Sequence, residues 1–233
     1  MNPITESCFA MEIRGLAKHI LGNKDEPRDN GKKGQALTSR NVSSLVIDTL
    51  CKQAVEINAS VACFYFDFAV SEEQSPVAIL GSILQQVVGG LDLVPEKIVK
   101  SFRDGKKVIS GQGLALLEIV EFLQDICSSR CTFICMDALD ECPAGQRVVL
   151  LDSLNQILQK SPGARIFLTG RPHIQGEVEK HLGGTITRSI TPTKNDITIF
   201  LRARLKEDTM PDAMDERLEE EIIRNIPETV SEM

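Results

Sequence analysis

Three carboxylates follow a short apolar run in the segment T-F-I-C-M-D-A-L-D-E-C-P, residues 132–143. The apolar run predicts a strand buried on both faces, which is typical of a parallel sheet covered by helices. Ligands of such sheets bind beyond the carboxyl ends of the strands. Asp137 there can hold Mg²⁺, and Asp140 and Glu141 can orient a water for phosphoryl transfer. Taken alone, the segment fits equally well an acidic loop that caps the next helix.

A second polar strand end lies further along the chain, at T-G-R-P, residues 169–172. It places the hydroxyl of Thr169 and the guanidinium of Arg171 after another predicted buried strand. A guanidinium can contact a γ-phosphate in a bidentate manner. A lone arginine more often pairs with a surface carboxylate. Because one helix of suitable length separates this strand end from the acidic one, the combination favours a nucleotide site.

Strands and helices alternate along the predicted secondary structure. Helical spacing of apolar residues, proline and glycine signals and short β-prone runs define these elements. The predicted strands cover residues 61–68, 133–136, 165–169 and 185–190, and the predicted helices cover 11–21, 42–57, 76–88, 95–102, 114–126, 145–159, 174–181, 195–206 and 214–225. This alternation predicts a three-layer α/β fold with a parallel sheet between helices.

Composition narrows the classes of partner. The chain has 233 residues, 42% apolar and 25% charged, which is typical of a globular protein, and a net charge of −7 that disfavours nucleic acid. No apolar stretch reaches the roughly 18 residues of a membrane span. Seven cysteines, most of them in apolar segments, indicate reduced thiols and a cytoplasmic protein rather than a zinc site.

Three motifs in order give a family resemblance: F-Y-F-D-F, then F-I-C-M-D-A-L-D-E-C-P, then R-I-F-L-T-G-R-P-H. From residue 37 onward the chain resembles the NACHT-type P-loop NTPase domain of fungal STAND proteins, the nephrocystin-like proteins that often carry ankyrin or WD40 repeats. The resemblance implies an α/β P-loop NTPase-like fold, and ATP or GTP with Mg²⁺ as cofactor. It assigns the metal to Asp137, water orientation to Asp140 and Glu141, and phosphate sensing to Arg171, with Thr169 beside the nucleotide. It also implies a signalling switch that acts through protein partners or self-association, by regions absent here.

The phosphate loop of that family, G-x-x-x-x-G-K-[ST] after an apolar strand, is not legible. In its place stands G-K-K-G-Q-A-L-T-S-R, residues 31–40. Lys32 and Lys33 could contact a phosphate electrostatically, but the missing spacing favours a solvated basic loop. The first, central strand of the fold is expected to be missing or degenerate. Either residues 11–21 or the following loop replaces it, or the last strand packs irregularly, or the chain is a degraded gene product.

The sequence therefore divides into a poorly ordered segment (1–36), a NACHT-like core (37–208) and the start of a helical segment (209–233). The predicted function is a NACHT-like nucleotide-binding signalling module with impaired or lost hydrolysis. One alternative is a working ATP- or GTP-dependent switch with slow hydrolysis. A second alternative is a non-catalytic interaction scaffold or a pseudogene-like fragment. A third is an unrelated α/β domain. Whether the chain is an enzyme stays open. Asp67, after the first motif strand, either faces the nucleotide or, as we favour, accepts nearby backbone N–H groups.

Overall fold

The computed structural model describes residues 8–13, 39–70, 74–107, 113–190, 193–206 and 216–231. The strands are β1 (Cys8–Ile13), β2 (Ser60–Tyr65), β3 (Thr132–Asp137), β4 (Ala164–Gly170) and β5 (Ile186–Ile190). The helices are α1 (Ser39–Glu56), α2 (Pro76–Gly89), α3 (Glu96–Lys107), α4 (Leu116–Ser129), α5 (Ala144–Lys160), α6 (Gln175–His181), α7 (Lys194–Lys206) and α8 (Glu216–Ser231). Short 3₁₀ turns cover Phe68–Val70, Leu139–Glu141 and Pro172–Ile174.

The predicted elements from residue 42 onward are confirmed in type, with shifts at their ends. The largest shifts are at the ends of two helices: α8 ends at Ser231 rather than at residue 225, and α3 ends at Lys107 rather than at residue 102. The first motif strand is shorter than predicted and ends at Tyr65 rather than at residue 68. The α2 start shows why the local signals were reliable. Ser75 is extended, its Oγ accepts the N–H of Ala78 at 3.3 Å, and Pro76 opens the helix without losing a hydrogen bond.

The strands form one sheet in the order β2-β3-β4-β1-β5. β2, β3 and β4 are parallel, and Tyr65 of β2 lies opposite Asp137 of β3. The carboxyl ends of these three strands therefore meet at one edge of the sheet, called the carboxyl edge below. The α/β fold with a parallel sheet between helices is confirmed for this part of the chain.

Alternation along β3 separates two apolar cores, one on each face. Ile134 and Met136 belong to the larger core, together with side chains of α2, α4 and α5. Phe133 and Cys135 face α1 and pack in a smaller core, whose helix residues are Val46, Leu50 and Ala54. All six residues of β3 are buried, as expected for a strand covered on both faces.

The N-terminal strand corrects one expectation and agrees with another. The helix predicted over residues 11–21 is wrong in its first three residues, which belong to β1, and its remainder lies outside the described residues. β1 occupies the central position between β4 and β5, as in the alternative in which residues 11–21 replace the degenerate first strand, and it runs antiparallel to both neighbours. The physical reason is that the buried side of β4 needs a hydrogen-bonding partner. The proposed division of the chain at residues 36 and 208 stays a prediction.

Because β1 is antiparallel, it begins at the carboxyl edge and ends at the opposite one. Phe9 lies opposite Gly170 near the carboxyl edge, and Ile13 lies opposite Ile166. α1 starts at Ser39 and leads through residues 57–59 into the first residue of β2, so it runs against the direction of β2. The end of β1 and the start of α1 are therefore directed to opposite edges of the sheet.

The turn before β4 contains a glycine with no room for a side chain. A Cβ on Gly163 would overlap the carbonyl oxygen of Cys127 and lie 2.7 Å from that of Arg130. Both atoms are backbone, so they cannot move aside as a flexible side chain would. The N–H of Thr132 also donates to the Gly163 carbonyl at 3.0 Å, which aligns the starts of β3 and β4. Among the described helices, none is long and apolar enough to cross a membrane.

Candidate functional site

The ends of β3 and β4 are joined by a buried hydrogen-bond chain. Thr169 Oγ1 donates to Asp137 Oδ1 at 2.5 Å and accepts the N–H of Ala138 at 3.1 Å. Asp137 is 3% exposed and Thr169 is 1% exposed. The structure thus brings together two of the predicted site residues, from consecutive strands that α5 connects and that are adjacent in the sheet. The arrangement is a carboxylate at a strand end, oriented by a hydroxyl from the next strand.

Backbone geometry redirects the chain immediately after Asp137. Ala138 has φ 58° and ψ 45°, in the left-handed region that residues other than glycine rarely adopt. Such conformations cost free energy and cluster where the chain must present side chains or donors in a fixed direction. Here the turn starts the short helix Leu139–Glu141, which carries the other two predicted carboxylates.

Asp140 forms the second connection between the strand ends. Its Oδ1 accepts the backbone N–H of Arg171 at 3.2 Å, and its Oδ2 lies 3.4 Å from Arg171 Nε. The Asp140 side chain is 6% exposed, whereas that of Arg171 is 39% exposed. Arg171 is therefore paired with a carboxylate, as the simpler interpretation of the sequence held, but this carboxylate belongs to the acidic loop and is buried.

Between Thr169 and Arg171 the chain approaches the acidic loop closely. A Cβ on Gly170 would lie 3.4 Å from Asp140 Oδ1 and 3.0 Å from Ile174 Cδ1. A side chain at this position would crowd both the Asp140 carboxylate and the turn after β4. The glycine of the T-G-R-P motif therefore allows the two loops to come together.

Glu141 connects the acidic loop to the segment after β2. Its Oε2 accepts the N–H of Phe68 at 2.9 Å. Asp67 accepts the N–H of Ala69 through Oδ1 at 2.9 Å, which confirms the expectation that it bonds nearby backbone. The buried Gln74 accepts the N–H of Asp67 at 3.3 Å and donates to its carbonyl at 3.1 Å. The sequence carries no signal for the Gln74 and Phe68 contacts, because neither depends on a motif.

The lysines of the predicted site cannot be placed relative to these residues. Lys32 and Lys33 lie outside the described residues. A strand that leads into a phosphate loop must end at the ligand edge, so that the loop and the next helix can surround the phosphates. β1 ends at the opposite edge. It therefore does not supply the strand–loop–helix continuity of a phosphate cradle.

The donor set at the carboxyl edge fits Mg²⁺ only in a limited way. Within the described ranges no group of three or more His, Cys, Asp or Glu side chains could hold a metal ion. Mg²⁺ commonly keeps several waters and takes one or two carboxylates together with substrate phosphates. Asp137 can supply one such carboxylate and Thr169 a hydroxyl, so any site here depends on a phosphate ligand. The metal role of Asp137 stays a prediction.

The thiols near the sheet are suited to packing rather than to nucleophilic chemistry. Burial raises the pKa of Cys127 and that of Cys142 to about 11, and it also raises the pKa of Cys63 and of Cys135. A raised pKa leaves little thiolate at neutral pH. Cys142, which follows the acidic loop directly, is therefore protonated although Arg147 is close to it.

Comparison with known proteins identifies the region that carries this geometry. The family model described as Nephrocystin 3, N-terminal, matches residues 40–171, more than half of the chain. The chain belongs to the nephrocystin 3 N-terminal family. The match extends from the start of α1 to Arg171, so it includes both strand ends of the site. The nephrocystin-like part of the resemblance seen in the sequence is thereby confirmed.

Two further comparisons add little to this assignment. The ORC1 protein of Aeropyrum pernix, solved in complex with DNA, is 19% identical, with a TM-score of 0.43. The similarity covers 74% of this chain and 42% of the ORC1 chain. No curated protein sequence matches the chain.

Proposed function

We propose that this nephrocystin-like domain is a NACHT-like signalling module of the STAND type that retains a weak nucleotide site and has impaired or lost hydrolysis. The observation that carries the proposal is the buried pair of Asp137 and Thr169, which joins the carboxyl ends of two parallel strands. In open α/β sheets this is the place where ligands bind. A carboxylate and a hydroxyl there suit Mg²⁺ and a phosphate group.

The reason for proposing impaired hydrolysis is that the other two carboxylates already bind backbone. Asp140 accepts the Arg171 N–H, and Glu141 accepts the Phe68 N–H. A residue that orients or activates a water must lie within hydrogen-bond reach of that water. For these two carboxylates, such a role requires that they give up contacts which hold three loops together.

The direction of β1 supports the same proposal from the phosphate side. Tight nucleotide binding in P-loop proteins depends on successive backbone N–H groups and a helix N-terminus around the phosphates, with a lysine that neutralises charge. A strand ending at the far edge does not deliver such a loop. In this proposal Lys32 and Lys33 contribute at most a diffuse positive charge, and ATP or GTP binds weakly with Mg²⁺.

As a proposal, the cellular role follows the family resemblance: a cytoplasmic switch of fungal type that transmits its state to protein partners or to further copies. In this role Arg171 senses the phosphate by exchanging its contact with Asp140 for one with the nucleotide. The exposed fraction of its side chain, 39%, supports this, because it shows that part of the side chain is accessible to solvent.

Calorimetric titration with ATP and with GTP, each with Mg²⁺, tests the proposal. We expect a dissociation constant weaker than about 100 μM, which corresponds to less than about 5.5 kcal/mol of binding free energy. Asp137→Asn should abolish this weak binding, since it removes the charge and nearly keeps the shape. The matched control is Asp92→Asn, because Asp92 is exposed in the loop between α2 and α3.

The titration also separates the alternatives. Submicromolar binding that Asp137→Asn removes, together with measurable phosphate release, would replace the proposal with a working nucleotide switch. Binding that is insensitive to Asp137→Asn would show that the nucleotide binds away from the carboxyl edge. No binding at millimolar nucleotide would favour an interaction scaffold.

A further inference from the structure

β1 holds the sheet together from its centre although it is only six residues long. It pairs with β4 from Phe9 to Ile13, and with β5 from Cys8 to Glu12. Both of these neighbours run antiparallel to it, so β4 and β5 are parallel to each other. β5 has no other partner strand within the described residues, since it lies at the end of the sheet. Without β1, the sheet would therefore be interrupted between β4 and β5.

The β4 side of this gap cannot be left open. With β1 in place, residues 166–169 of β4 are between 0 and 5% exposed, and their backbone groups on this side have β1 as partner. Backbone N–H and C=O groups that are buried without a partner cost about 1–3 kcal/mol each. A gap lined by such groups has the properties of a sheet edge that accepts an added strand. The gap between β4 and β5 is therefore a strand-binding site, and residues 8–13 occupy it.

The attachment of β1 to the rest of the chain does not force it to fill its own gap. Residues 14–38 separate it from α1, and β1 lies outside the family-matched region 40–171. A chain segment of that length spans at most about 80 Å when extended. The strands of this sheet are only about 20 Å long. By its length alone, a segment of this size suffices to connect residues 8–13 to a sheet in the same molecule or in a neighbouring one.

We propose that residues 8–13 exchange between two copies of this chain, each inserting its β1 between β4 and β5 of the other. A second copy is the occupant that fits, because its β1 already has the sequence and register of the site. Main-chain hydrogen bonds, which supply much of the affinity in strand addition, are the same whether the strand comes from the same chain or another. Insertion within one chain is favoured by an effective concentration of the order of millimolar. Exchange should therefore be detectable at high protein concentration.

Cross-linking between register partners tests the exchange on the full chain. Ala10 lies opposite Arg188, and residues directly opposite on antiparallel strands are close enough to interact. One protein carries Ala10→Cys, and a second, distinguishable by a mass tag, carries Arg188→Cys. The two are mixed at about 1 mM, near that effective concentration, incubated, diluted and oxidised with diamide. We expect a mixed disulfide dimer that peptide mapping assigns to positions 10 and 188.

Three controls make the result decisive. The double variant Ala10→Cys/Arg188→Cys should form the bond within one chain, which verifies the register. The mixture of Ala10→Cys with Asp152→Cys has a cysteine on the exposed part of α5 and should give only the background of the native thiols. Mixing at about 1 μM should reduce the mixed dimer at least tenfold.

The outcomes separate this inference from the proposed function. If the double variant closes within one chain and the concentrated mixture stays at background, exchange between copies is refuted. If neither closes, the assigned position of β1 is refuted as well. Nucleotide titration measures binding at Asp137 and does not depend on the exchange of β1. Failure of one proposal can therefore be distinguished from failure of the other.

Discussion

Replacing Thr169 by valine should destabilise the domain through two polar groups that remain after the hydroxyl is gone. Valine has nearly the same shape, so the buried position stays filled. Asp137 Oδ1 loses the hydrogen bond from Thr169 Oγ1, and the N–H of Ala138 loses its acceptor. Asp137 is 3% exposed, which limits how well water can replace the lost donor.

The magnitude follows from these two losses. A hydrogen bond to a charged group contributes about 1.5–3 kcal/mol, and an unsatisfied buried donor costs about 1–3 kcal/mol. Ala138 is partly exposed, so its N–H belongs at the low end of that range. We expect a loss of about 2.5–4 kcal/mol in the free energy of unfolding, a large part of the 5–15 kcal/mol typical of a domain.

The assay is equilibrium urea unfolding followed by far-ultraviolet circular dichroism, because the chain has no tryptophan. The slope of the free energy against urea should stay constant, which would show that the folded and unfolded states keep their exposed areas. Thr169→Ser keeps the hydroxyl and should lose about 1 kcal/mol or less. As a matched control, Thr198→Val removes a hydroxyl that donates to the Lys194 carbonyl within α7. It should change stability by no more than about 1 kcal/mol.

Two results would refute this reasoning. The first is a Thr169→Val loss below about 1 kcal/mol, because the Asp137 carboxylate would then be satisfied by other groups. The second is an equal loss in Thr169→Ser, which would attribute the effect to packing. A double-mutant cycle with Asp137→Asn should give a coupling energy of about 1 kcal/mol or more, as expected for groups in direct contact.

Three further predictions concern the scaffold. Gly163→Ala should cost more than about 2 kcal/mol in unfolding free energy, because its Cβ would overlap two backbone carbonyls. As a control, Gly145→Ala lies at an open position in α5 and should leave the free energy of unfolding unchanged or raise it by up to about 1 kcal/mol. Equal effects of the two substitutions in urea unfolding would contradict the packing argument. Cys51 is exposed, whereas burial raises the pKa of Cys127 to about 11. Cys51 should therefore react with iodoacetamide before Cys127 at pH 7.5, and labelling of Cys127 should increase as pH rises towards 11. Labelling of Cys127 as early as that of Cys51, measured by mass spectrometry, would be inconsistent with its burial. The Gln86 side chain of α2 accepts the N–H of Cys63 and donates to its carbonyl, each at 2.9 Å, along the edge strand β2. Gln86→Ala should expose this edge and increase aggregation in light scattering, and an unchanged aggregation rate would show that the edge is protected otherwise.

Much of the fold is predictable from local sequence. A helix that is buried on one face has apolar residues every three or four positions, and this spacing predicts α5. A strand that is buried on both faces has a continuous apolar run, and the run F-I-C-M predicts β3. Ser75 and Pro76 determine the start of α2 for a local reason, the capping of free N–H groups. The placement of Asp137 and Thr169 at strand ends also follows from the sequence.

The prediction failed where the signal was weak or the partner was distant. Residues 11–13 have an apolar pattern too short to distinguish a helix from a strand, and β1 is decided by the buried side of β4. The direction of β1 could not be predicted, since an isolated strand has no preference for either orientation. Lys32 and Lys33 remain predictions, because they lie outside the described residues.

The sequence by itself determined the alternating elements, the carboxylate and hydroxyl at two strand ends, and the resemblance that the family match confirms in its nephrocystin-like part. Only the tertiary structure decided what these side chains contact. Asp140 accepts a backbone N–H from 31 residues away, and Glu141 accepts one from 73 residues away. Such contacts depend on which strands become neighbours, and that is decided by the burial of the whole sheet rather than by any local pattern.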